Sequence, residues 1–281
     1  QATQAVPQII ITAQRGTGFE PGDIGTVYLP DAKLLGPTIT TNLAGQLLGF
    51  PAWSTDSLLV TNTRVRFAES GFRLTISNDL VVAGAGTRLD LGGGGLLVAS
   101  ASNYHNNIYN TGSSQSVLTV GGDLTLINSA AIGLLGAATN AAGPDYGALL
   151  DVEGNIVIWS NSWLYTVTHP TNGGAALIRA LNMHITSNAG INANSAGFAP
   201  QTGYGKGVNA GARCGGGGYG GAGGQGANAS AFGGPAYGSS NAPGLPGSGG
   251  ATYNSGDMGG MGGGVVRAKI GMSLLLNGTI S

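Results

Sequence analysis

The feature that most constrains this chain is a short phrase that recurs along it. Two apolar positions two residues apart precede a three-residue connector, and two more apolar positions two apart follow. Leu74, Ile76, Leu80 and Val82 form one copy around Ser77-Asn78-Asp79, and Leu118, Val120, Leu124 and Leu126 form another around Gly121-Gly122-Asp123. Leu150, Val152, Ile156 and Ile158 repeat it around Glu153-Gly154-Asn155, and Val266, Ala268, Met272 and Leu274 keep the same spacing. Ile178, Ala180, Met183 and Ile185 are one residue short. A period of two marks a strand with one buried face, and Gly, Asn and Asp tolerate the left-handed backbone of a tight corner. A small polar turn and a further apolar residue tend to follow each copy, as at Ile132, Ile191 and Ile280.

Strand-corner-strand units that recur in this way predict an all-β fold, a right-handed parallel β-helix (solenoid) in which inward apolar positions stack on their equivalents one turn away. The copies lie at unequal intervals, which suits a coil with loops of different length. The same alternation fits an antiparallel β-sandwich, which is the alternative. No long segment carries a 3.6-residue period with helix caps. The predicted organisation is an N-terminal strand and irregular region over 1–56, solenoid rungs over 57–202, a glycine-rich insertion over 203–264 and a terminal rung over 265–281.

The insertion holds 26 of the chain's 54 Gly in 62 residues, with three charges, Lys206, Arg213 and Asp257. Tyr204, Tyr219, Phe232, Tyr237 and Tyr253 are spaced through it. A flexible linker would lack these aromatics; close-packed backbones covered by Tyr and Phe would need them. The phrases Gly215-Gly-Gly-Gly-Tyr-Gly-Gly-Ala-Gly-Gly224, the glycines around Tyr237 to Gly250, and Leu275-Leu-Asn-Gly-Thr-Ile-Ser281 resemble the glycine-rich segments of large secreted bacterial proteins with pectin-lyase-like β-helices. The resemblance covers roughly residues 118–281. It implies a β-helix and a surface or extracellular, structural or adhesive role.

Little in the chain carries catalysis. Charged residues are 8% of the total and the net charge is −1, so no basic stripe exists to neutralise phosphates and nucleic acid is not an expected partner. No apolar run approaches the length of a membrane helix. Asp79 and Asp123 share one connector position, where a carboxylate is expected to bond its own turn backbone. Asp151 and Glu153 flank Val152 but are too few for a calcium site. His105, His169 and His184 stand apart without metal-ligand spacing and are read as structural, and Cys214 beside Arg213 is read as inert or as an intermolecular contact. The glycine phrases lack the strand and helix of a phosphate loop. Trp53, Trp159 and Trp163 would bind sugars only if exposed in a row, and packing is the preferred reading. No catalytic residue, cofactor or metal is therefore expected, and the chain is read as a non-enzyme.

The remaining expectation is assembly. Strand-like residues Gln8, Ile9, Ile10, Ile11 and Thr12 near one end and Leu274, Leu275, Leu276 and Ile280 near the other are predicted subunit contacts, pairing strands head to tail into an extracellular filament. Low charge leaves little repulsion against such stacking. An adhesin or glycan-binding module is the alternative function, and a polysaccharide lyase or hydrolase ranks below both.

Overall fold

The structure, a computed structural model, describes residues 10–14, 23–93, 110, 112–139, 144–211, 213–227, 230–253 and 259–281. The chain opens with β1 (Ile11–Thr12), β2 (Thr26–Tyr28), a 3-10 turn at Ala32–Leu34, β3 (Thr38–Ile39) and β4 (Leu43–Leu48). Four turns of three strands follow. They are β5 (Ala52–Thr55), β6 (Leu58–Thr61) and β7 (Arg64–Phe67); β8 (Arg73–Ile76), β9 (Leu80–Ala83) and β10 (Arg88–Leu91); β11 (Ser116–Val120), β12 (Leu124–Ile127) and β13 (Ala131–Leu135); and β14 (Ala148–Val152), β15 (Asn155–Ile158) and β16 (Trp163–Val167). In the next turn β17 (Ala176–Ile185) fills two strand positions before β18 (Gly190–Asn192). A small hairpin, β19 (Asn209–Ala210) and β20 (Arg213–Cys214), precedes the last turn, β21 (Arg267–Leu276) and β22 (Thr279–Ile280).

Equivalent strands of successive turns pair in parallel, giving a coiled, solenoid-like stack with three ladders. Ladder A runs from β1 and β2 through β4, β7, β10, β13, β16 and β18 to β22. Ladder B joins β5, β8, β11 and β14 to the first halves of β17 and β21. Ladder C joins β3, β6, β9, β12 and β15 to their second halves. Among the described residues only β19 and β20 pair antiparallel, so the sandwich alternative does not fit.

The recurring phrase supplies the core. Leu74, Leu118, Leu150 and Ile178 are register partners on ladder B, and Leu80, Leu124, Ile156 and Met183 on ladder C; all are buried in one continuous cluster. Each such side chain contributes about 1.5–3 kcal/mol by leaving water. The last copy is shifted from its expected phase. Ile178 and Ala180 pair with Ala268 and Ile270, and Met183 and Ile185 with Leu274 and Leu276, so these four residues hold the inward positions. Met272 falls instead in the connector, opposite a register shift between Ala180 and Asn182, and is strongly exposed. The spacing was right, but only pairing with β17 sets its phase.

The three corners differ. From ladder C to ladder A, Asn62, Asn128, Asn161 and Asn188 adopt φ of 54° to 63°, the left-handed turn that Asn tolerates. From ladder B to ladder C the corner is tied by side chains. Asp79 Oδ1 accepts the Asp123 N–H at 2.8 Å, and Asp123 Oδ1 accepts the Asn155 N–H at 2.7 Å and its side-chain amide at 2.9 Å. Asn182 then donates to Asn155 at 2.8 Å, and the Ser273 hydroxyl donates to Asn182 at 2.6 Å. The aspartates therefore bond the following turn rather than their own, because stacked strands about 4.8 Å apart bring the next N–H within reach. Nearly all the length variation enters at the third corner, between ladders A and B, which explains the unequal intervals between copies.

At this third corner the glycine-rich segment leaves β18 and returns at β21. It is packed, with hardly any β ladder. Gly218 donates to Gly205, Gly216 to Gly224, Gly234 to Gly216 and Ala251 to Gly215, at 2.7–3.0 Å. Segment 214–219 is thus bonded to four neighbours, whereas a strand in a sheet has two. Backbones that approach this closely require Gly at the crowded positions. Gly234 shows why: a Cβ there would overlap the Gly205 carbonyl. The block is moored to the loop after β16, where Pro170 O accepts from the Ala199 N–H at 3.0 Å and the Thr202 hydroxyl at 2.7 Å.

Candidate functional site

The final turn is the most unusual surface of the stack. One turn earlier, inward Met183 is 1% exposed and Ile185 and Ile191 are fully buried; their partners Leu274, Leu276 and Ile280 are 50%, 44% and 40% exposed. Leu275, opposite His184 on the outer face, is also exposed. β21 pairs only with β17 and β22 only with β18 among the described residues, so their far edges present unpaired backbone groups. An apolar row beside a free parallel edge is what one further β turn would cover.

The other predicted contact region is different. Gln8 and Ile9 lie outside the described residues. Ile10 is exposed, while Ile11 and Thr12 pair with Leu43 and Ala44, making β1 the outermost strand at that end of ladder A together with β2. The core beneath is closed. Val27, Leu29, Leu35 and Ile39 are buried there, and Phe67 stacks on Phe72 with centroids 4.5 Å apart. Phe50 and Trp53 complete this aromatic cluster at 5.6 Å from Phe72 and 5.8 Å from Phe67 respectively.

A buried ionic group near the same end was not foreseen. Arg66, fully buried, reaches Asp23 at 2.7 Å and Asp90 at 3.6 Å, and Arg88 reaches Asp90 at 2.7 Å. Burial pulls the Arg88 guanidinium down, but the Asp90 carboxylate outweighs it and holds the group above its ordinary range. Arg88 also lies over the Tyr165 ring at 5.0 Å. Gly133 is the partner of Asp90, and a Cβ there would overlap the carboxylate. Arg66 and Asp90 occupy outward strand positions, where sequence alternation predicts exposure; only the segment carrying Asp23 reveals otherwise. The group ties the end segment to ladder A and has balanced charge.

The other candidates have structural surroundings. His169 Nδ1 accepts the Asn172 N–H at 3.0 Å, and so closes its own turn. His184 faces outward beside Trp159, ring centroids 6.5 Å apart. His105 lies outside the described residues. Asp151 faces Arg179 at 3.6 Å. Cys214 is half-buried and free in β20. Trp53 is buried, Trp163 covers Gly190 and Trp159 is exposed, so the three do not line up. Among the described residues no group of three His, Cys, Asp or Glu is placed to hold a metal, and no helix is long and apolar enough to cross a membrane.

The glycine-rich block carries a row of aromatic rings that sequence spacing only hinted at. Buried Phe198 contacts Tyr204 edge-on at 5.6 Å, Tyr204 contacts Tyr237 at 5.5 Å, and Tyr237 contacts Tyr219 at 5.2 Å. Ser248 locks the row by accepting the Gly205 N–H at 2.8 Å and donating to the Tyr237 hydroxyl at 3.0 Å. Burial pushes the Tyr237 phenol up, only partly countered by the Ser248 hydrogen bond. No known family model, curated protein or solved structure matches the chain.

Proposed function

We propose that this chain is an extracellular structural protein, a right-handed parallel β-helix whose copies join end to end by strand pairing into a surface filament. The open final turn carries the reading: an apolar row half exposed beside the unpaired far edges of two parallel strands. Burying such a row between copies removes apolar area from water, while the edges exchange water for ladder hydrogen bonds. The receiving surface is the outer edge of β1, β3 and β5 on a second copy, giving a head-to-tail contact that repeats. The right-handed coil follows the chirality of parallel crossover connections. Extracellular placement rests on the low charge and the Gly, Ser, Thr and Asn content, together with the resemblance to secreted β-helices.

Sedimentation and negative-stain imaging of the purified chain test the assembly. Concentration-dependent, end-to-end polymers are expected, and the double change Leu274→Lys and Leu276→Lys should return monomers with unchanged circular dichroism. A monomeric wild-type protein at high concentration overturns the reading, as do polymers indifferent to the double change. Removal of residues 1–12 should likewise end polymerisation by taking away β1.

A second reading, a surface-glycan adhesin, is favoured by one observation. Tyr204 stands largely exposed on the glycine-rich block.

A further inference from the structure

We infer that the turn after β16 is a pH-sensitive clasp: neutral His169 holds the glycine-rich block against the stack, and mild acid releases it.

The clasp lies between β16 and β17. The His169 N–H donates to the Gly174 carbonyl at 2.8 Å, and the Gly173 N–H donates back to the His169 carbonyl at 3.0 Å, so the loop closes on itself. Within it, His169 Nδ1 accepts the Asn172 N–H at 3.0 Å and the Thr171 N–H at 3.3 Å. A backbone N–H can only donate, so Nδ1 carries a lone pair and the ring is neutral, with its proton on Nε2. His169 is 7% exposed, which leaves little water to replace these bonds or to solvate a charge.

The turn is bonded on both sides. Toward the preceding turn of the stack, the Asn172 side chain donates to the Thr139 carbonyl at 2.9 Å and accepts the Thr139 N–H at 2.7 Å. Toward the segment that leads into the glycine-rich block, the Thr168 N–H and hydroxyl donate to the Ala196 carbonyl at 2.9 and 2.8 Å, and Pro170 O accepts from Ala199 and Thr202. Gly173, with φ 80°, lies so close to Phe198 that a Cβ would overlap the ring. Phe198 begins the row that runs through Tyr204 and Tyr237 to Tyr219. The shape of one short turn is thus passed to the rings of the block.

Protonation would set an Nδ1–H against two N–H groups. Both bonds are then lost, and ring or backbone must move. The clasp is therefore whole above the ordinary imidazole value of about 6.5 and is given up as pH falls through and below it. The segments packed against the turn, 137–139, 147, 196–202 and 246–248, contain no acid, base or further histidine. Asp145 and Tyr146, just ahead of Gly147, face Arg267 and the cluster of Val117, Leu149 and Leu177, and Tyr165 on β16 faces Arg88. Among these groups only His169 titrates in that window.

Hydrogen exchange of the full chain, corrected for intrinsic rate and read by mass spectrometry at about pH 8 and about pH 5, either side of the imidazole value, tests the clasp. Protection of residues 168–175 and 196–203 should fall about tenfold at the lower pH, the scale of one lost buried hydrogen bond, and return on neutralisation. The ladder strands β12 and β15 should keep theirs. His169→Asn supplies an uncharged acceptor to the same turn and should hold the protection at both pH values. His169→Ala should show the acid level at both. Changing the other two histidines together, His105→Gln with His184→Gln, should leave the wild-type response intact. Protection that does not change with pH in the wild type overturns the inference, as does an equal loss in His169→Asn. A loss confined to 168–175, with 196–203 unmoved, overturns the link to the block. Should His169→Ala not fold, the wild type against His169→Asn decides alone.

Discussion

The two ends of the stack are made from the same kind of turn and finish differently. At the first turns, residues 24–39 fold over the core, aromatic rings fill it, and Arg66 clamps the covering segment through Asp23. At the last turn, inward leucines stand half exposed beside an unpaired edge. Burial in a solenoid depends on having a neighbour on each side, so an identical inward pattern is buried in the middle and partly exposed in the last described turn. The capped end offers backbone edges; the open end offers backbone edges and apolar area.

Truncation of inward residues should break the comparison most visibly. Phe67→Ala removes a stacked, fully buried ring and should destabilise the chain by about 3–5 kcal/mol in denaturant unfolding. Leu276→Ala should cost the monomer under about 1 kcal/mol, because its side chain is already half in water. Equal costs would show that the open end is covered in solution.

The corner ladder gives a middle-sized effect. Asp123→Ala deprives Asn155 of two hydrogen bonds and should cost about 1–3 kcal/mol, with Asp123→Asn recovering most of it. Ser273→Ala, at the last rung of the same ladder, should cost about 0.5 kcal/mol. Unfolding midpoints of the three variants check the order.

The smallest effect concerns pH at the open end. Arg267 donates to the Asp145 carboxylate at 2.6 Å, and this hydrogen bond, with the arginine's charge, holds the acid below its ordinary value of 3.8. A depressed carboxyl stabilises the fold above that ordinary value and loses its contribution as pH falls through the lowered one. Hydrogen exchange in β21 should therefore quicken under strongly acidic conditions, before the middle turns respond. Since Asp145 is largely exposed, the change should be small, and Asp145→Asn should remove it.

Much of the fold was legible because its signal is local. The phrase around Asp79, Asp123 and Asn155 identified inward residues that are indeed buried, and Asn128, Asn161 and Asn188 after three of the copies mark the left-handed corner. The phase of the last copy was not legible, because Val266, Ala268, Ile270, Met272, Leu274 and Leu276 satisfy the spacing in either of two registers. The corner aspartates were recognised by position, but their partners lie a turn away and at different sequence distances. The Tyr row was visible only as scattered aromatics, since neighbouring rings meet across the glycine lattice.

The sequence by itself determined that this chain coils: alternating apolar residues, corner-forming Asn, Asp and Gly, and a glycine-rich block with aromatic cover are all written in short stretches. Tertiary structure decided what each stretch became. Turn-to-turn pairing chose the register, the covering segment made one end a closed core and buried Arg66, and in the last described turn Leu274, Leu276 and Ile280 stand partly exposed. The physical reason is that strand pattern is a property of neighbours in the chain, whereas burial and hydrogen-bond partnership are properties of neighbours in space.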